Sequence, residues 1–151
     1  MKNLHSTLDQ GLYRSYFEDL LLEAHLWLSG IREHDRNFED TFISTLLQLE
    51  KSSLVEKKNT LDFFDHLIAC NNRFLPKLYR SIYLLIENIE ELLELPSISK
   101  PVFNNNIQHL NKQLYLINRL LTNWAEETCD VITKLRVNRE FQPLFDLFSM
   151  N

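Results

Sequence analysis

Asp62, Asp65, His66 and Cys70 are the residues of this chain whose types and spacing come nearest to chemistry. On a helix, side chains four apart share a face, so carboxylates, an imidazole and a thiol in this run could hold a metal weakly or exchange a proton. A working metal site also needs ligands from a second element, and none is evident, so solvated polar groups in the first turn of a helix are the simpler expectation. A second group, Glu23 and His25 with Glu33, His34 and Asp35, is expected at a helix end and the loop after it. Exposed polar residues of that kind need no chemical role.

The known metal chemistries of helical proteins fail on spacing. A di-metal carboxylate centre needs Glu-x-x-His pairs that point one carboxylate and one imidazole inward. Three residues before His25, His34, His66 and His109 stand Leu22, Ile31, Phe63 and Asn106, none of them an iron ligand. A His-x-x-x-His or His-x-x-x-Glu iron site fails as well, with Ser29, Phe38, Cys70 and Gln113 four residues on. His-Glu-x-x-His does not occur, nor does an Arg four to six residues before a His, as in one class of helical ribonucleases. The expected inventory is therefore no catalytic residue, no cofactor and no metal.

Two features point to binding instead. Glu87, Glu90, Glu91 and Glu94 crowd the end of a helical segment, the negative pole of its dipole, where each acid costs about 0.3 to 1 kcal/mol at an exposed site. A run that breaks a local rule without a local gain is a candidate for function, here an acidic face that receives a basic partner. The second feature is the tail after Asn138, where Phe141, Leu144, Phe145 and Phe148 can pack on the bundle or lie in a partner's groove.

The elements that would position these residues are all helices. Only Gly11 and Gly30 occur, too few for a fold rich in hairpins or Gly-cradled phosphates. Tyr13, Phe17, Leu20, Ala24, Trp27 and Ile31 set the stripe of a first helix over about 7–31, and Leu21, Leu22, Leu26 and Leu28 widen it. So broad an apolar surface predicts a central helix with neighbours on more than one side. Gly30 suits the left-handed backbone that ends helices, and Asp35 can cap a second helix over about 36–54. A third is expected from a cap at Asn59 or Thr60, with a kink or tight break near Asn71 to Leu75 imposed by Pro76. Beyond it Leu78, Ile82, Leu85, Ile89 and Leu92 form a heptad stripe, and 95–101 is a loop.

The last helix keeps a four-three alternation from Phe103 to Leu135. At 1.5 Å per residue its roughly 36 residues would reach about 54 Å, matching the combined segment 60–95. The sequence thus predicts an all-α fold: one domain over 1–151, an antiparallel bundle of four or five helices with two long ones, one kinked near Pro76. The segment 139–151 is its short aromatic end.

Composition narrows function further. The hydrophobic fraction of 44% and charged fraction of 25% are ordinary for a globular domain. A net charge of −5, with no dense basic run, argues against nucleic acid as a partner. No stretch approaches a membrane span, and Met1 to His5 lacks the apolar core of a signal peptide, so a cytoplasmic protein is expected. Cys70 and Cys129 suit reduced packing thiols better than a disulfide. By elimination the expected function is a noncatalytic interaction module presenting an acidic helical surface, such as an inhibitor, immunity protein, secretion chaperone or assembly subunit. A homodimer through leftover apolar stripe is a companion expectation. The alternative is a bundle binding a small apolar ligand or a metal between its helices, near Trp27 and Trp124, with enzymatic activity conceivable there.

Overall fold

The computed structural model describes residues 2–137, all of them helical or in short connections. Three long helices account for the chain: α1 (Lys2–Gln48), α2 (Leu54–Leu93) and α3 (Lys100–Val137). A three-residue 3-10 turn, Leu49–Lys51, follows α1. No described helix is long and apolar enough to cross a membrane.

The all-helical expectation is met, but the count is three rather than four or five. The predicted first and second helices are a single helix of 47 residues. Gly30 does not take the left-handed backbone that its predicted role as a stop required. A glycine inside a helix costs only about 1 kcal/mol relative to alanine, and burial of Leu28 and Ile31 on either side outweighs it.

The segments before and after Pro76 also join, into α2 of 40 residues with the proline inside. Pro76 lies on the exposed side, and so does Asn72, whose carbonyl would have received the missing hydrogen bond. Helix α2 runs on through Pro76, so the predicted tight break does not occur.

Helix α2 also starts earlier than Asn59 or Thr60. Ser53 is its cap: the Glu56 amide donates to Ser53 Oγ at 3.2 Å, and the Lys57 amide to the Ser53 carbonyl at 3.0 Å. Thr60 is buried in the body of the helix. At α3 the predicted loop is present. Ser99 receives the Val102 amide on its hydroxyl at 3.5 Å and the Phe103 amide on its carbonyl at 2.9 Å. Pro101 is tolerated in the first turn, where its lacking amide has no intrahelical partner to lose.

The chain divides into two compact units. The first comprises Met1–Ile31 and Lys77–Arg119, the second Arg32–Pro76 and Leu120–Asn151. In the first, Phe17, Leu20, Ala24, Leu28 and Ile31 of α1 are buried with Leu78, Ile82, Leu85, Ile86 and Ile89 of α2 and Leu110 and Ile117 of α3. Ile98, from the α2–α3 loop, is fully buried. Phe103 stacks on Tyr13 with ring centres 4.4 Å apart, fixing the start of α3 beside α1.

The second unit is built on aromatic rings. Phe63, Phe64 and Leu67 form a cluster covered by Phe38, Phe42 and Val131. Phe42 meets Phe64 edge to face at 4.9 Å. Further along α2, Asn71 meets Trp124, so a later α2 residue contacts an earlier α3 residue than in the Phe64 cluster with Val131. Within this unit α2 and α3 therefore run antiparallel.

Candidate functional site

Glu87, Glu90 and Glu91 lie in the last turns of α2, and Glu94 follows its final helical residue, Leu93. The Glu94 amide still donates to the Glu90 carbonyl at 3.1 Å, which keeps Glu94 in register with the helix. At about 100° per residue the four positions fall within roughly 100° of arc. That arc is opposite the buried side formed by Leu85, Ile86 and Ile89, and all four carboxylates are exposed. Exposed Tyr83 and Leu84 continue the same arc one turn earlier. The result is a patch of two large side chains followed by four acids.

A cation stands at the negative pole of α2. Arg14, on α1, donates from one guanidinium nitrogen to the Leu93 carbonyl at 2.9 Å and from the other to the Leu95 carbonyl. These carbonyls have no intrahelical donor, so Arg14 satisfies the end of α2 and brings positive charge to its negative pole. The cost of clustering glutamates there is correspondingly reduced. No local signal marks Arg14, because its partners lie about 80 residues away and are backbone atoms.

The two clusters considered for chemistry are dispersed. Asp62, Asp65 and His66 are exposed in the body of α2, not in its first turn, because the helix begins at Leu54. Cys70 is buried away from them, its Sγ 3.6 Å from Thr128 Oγ1. Glu23, His25, Glu33, His34 and Asp35 stand along the middle of α1 rather than at a helix end and loop. His34 packs edge-on against Trp124 at 4.8 Å. Desolvation by that contact lowers its pKa, and the Asp35 carboxylate acts more weakly in the opposite sense. Among the described residues no three His, Cys, Asp or Glu side chains come together as a metal could use them.

Trp124 is buried, and its indole donates to Asn71 Oδ1 at 3.0 Å, a packing role. Cys129 is exposed rather than a core thiol, and both cysteines are free. Phe141, Leu144, Phe145 and Phe148 lie outside the described residues.

A surface that sequence reasoning misjudged is the outer side of α1. Leu22 and Leu26 were expected to be covered by neighbours of a central helix. They are 62% and 63% exposed, and Leu12 is 68% exposed. Helix α1 buries one apolar side in the first unit and leaves a second open.

The chain matches no family model, no curated protein and no solved structure.

Proposed function

We propose that this chain is a noncatalytic interaction module, of the kind that inhibits, escorts or assembles with another protein, and that it receives a basic partner. The observation that carries this reading is the patch of Glu87, Glu90, Glu91 and Glu94 on one arc of α2, all exposed and continued by Tyr83 and Leu84. Acids of one sign on one face raise the rate of encounter with a positively charged surface. The large side chains beside them supply the apolar contact from which affinity is built. Free cysteines suit a reducing compartment such as the cytosol, where such a partner would be met.

The test is native mass spectrometry of the gently purified chain beside a variant carrying Glu90→Lys and Glu91→Lys. The expected result is a copurifying protein of basic isoelectric point on the wild type, lost or weakened at least about tenfold on reversal of two charges. An acidic partner, or a basic one held equally well by the variant, overturns the reading.

A further inference from the structure

The outer side of α1 in the first unit presents a second exposed surface that mixes large apolar side chains with acids. At about 100° per residue, Leu12, Tyr16, Asp19, Leu22, Glu23 and Leu26 fall within roughly 120° of arc, opposite buried Phe17, Leu20, Ala24 and Leu28. Four large apolar side chains and two acids therefore share about 21 Å of helix, the rise from Leu12 to Leu26. The acids are exposed. Between Arg14 and Arg32, α1 carries Glu18, Asp19 and Glu23 and no Lys or Arg. Arg14 itself is turned to the end of α2, where it holds the Leu93 and Leu95 carbonyls.

We infer that this face docks an amphipathic helix of a partner protein whose apolar stripe is flanked by Lys or Arg. The inference rests on the reading of the chain as the receiver of a basic protein, and adds a second surface and the partner's secondary structure. An exposed helical ridge with anchors one turn apart is the complement of another helix, which inserts its own i, i+3, i+4 and i+7 side chains between them. Asp19 and Glu23 stand within that ridge and select positive flanks.

The same charges argue against other occupants. A second copy docked face to face would set Asp19 and Glu23 against their own counterparts, and like charges so placed repel. Residues 138–151 offer Arg139 against Glu140 and Asp146, a net of 1 − 2 = −1, so the aromatic end of the chain supplies no positive flank. An anionic membrane surface attracts basic helices and is repelled by this one.

The probe is a synthetic 18-residue peptide with Leu at the a and d positions of a heptad and Lys at the flanks, and its Glu-flanked counterpart is the control. Binding to the full chain is read by fluorescence anisotropy. Two variants address the ridge: Leu22→Gln with Leu26→Gln, and Asp19→Lys with Glu23→Lys. All four positions are exposed, so helical circular dichroism should be unchanged, and each pair stands in if the other disturbs folding.

The Lys peptide is expected to bind the wild type, and each pair to weaken it at least about tenfold. Equal binding of the Glu peptide overturns the inference. So does binding unchanged by either pair but lost on reversing Glu87, Glu90, Glu91 and Glu94, an outcome that leaves the proposed function standing. No binding of the Lys peptide at all also overturns the inference, while the proposed function stands or falls on the copurifying partner. Sedimentation covers the second copy: self-association of the wild type, abolished by the leucine pair, overturns the inference in its favour.

Discussion

The two compact units are made from stretches of the same three helices, yet they solve the problem of packing differently. The first is largely aliphatic: Leu78, Ile82, Leu85 and Ile89 are fully buried, opposite Phe17, Leu110 and Ile117. The second is aromatic and admits polar groups, several of them paired. Asn71 accepts from Trp124, Thr45 donates to the Thr41 carbonyl at 2.7 Å, and Cys70 meets Thr128. Arg73 adds an ion pair, its Nη1 donating to both carboxylate oxygens of Glu127 at 2.7 and 2.8 Å, though both side chains are exposed and such pairs contribute at most about 1 kcal/mol. In the first unit the polar intruder is Gln113. Both atoms of its amide are buried without a hydrogen-bond partner among the described residues. Apolar stripes alone tolerate sliding of one helix along another, whereas a paired indole and amide fix the register. The second unit is thus the more exactly specified of the two, and the first the more permissive.

The largest expected effects probe whether the units fold together. Phe64→Ala should cost about 3–5 kcal/mol and Leu85→Ala about 2–5 kcal/mol, from lost burial and the cavity left behind. Every helix contributes to both units, so each variant is expected to show one transition on urea unfolding, followed by circular dichroism and by Trp fluorescence. Two separated transitions would mean the units fold independently. The polar contrast comes next. Trp124→Phe orphans the buried Asn71 amide, at about 1–3 kcal/mol, and adding Asn71→Leu should restore much of that. Gln113→Leu should do the reverse in the first unit and raise stability by about 1–3 kcal/mol, since it removes a buried amide that is already unpaired. A loss of stability at Gln113→Leu would erase the distinction drawn between the units. The smallest effect is at their junction in α1. A Cβ at Gly30 meets nothing within 4 Å, so Gly30→Ala should raise the melting midpoint through a gain of about 0.5–1 kcal/mol.

Gly30 and Pro76 also show how sequence signals can be correct as positions and wrong in kind. Gly30 was expected to end a helix and Pro76 to kink or break one, and both lie inside continuous helices. The boundaries between the units nevertheless fall beside them, at Ile31 and Arg32 and at Pro76 and Lys77. Buried side chains on both flanks, Leu28 and Ile31 around Gly30 and Leu75 and Leu78 around Pro76, carry the helix through each weak position. Ile98 is a different failure. It lies in the loop that Pro96 and Pro101 announce, and its full burial has no periodic signal because loops have no period.

For the candidate surfaces, the glutamates of α2 were legible because their placement offends the helix dipole. The outer side of α1 was visible only as an excess of leucine. Whether such an excess is core or surface depends on how many neighbours the helix acquires, and that is a property of the whole chain.

What the sequence determines by itself is therefore local and periodic. Scarce glycine, sustained four-three spacing and the prolines at Pro96 and Pro101 specify helices, their apolar stripes and the principal loop, because each is decided within a turn or two of backbone. The tertiary structure decides what is long-range: that five expected segments are three helices, that Arg14 satisfies the end of α2, and that Leu22 and Leu26 face solvent. Those outcomes turn on which helices come to lie side by side, and the free energy that selects among arrangements resides in contacts between residues tens of positions apart.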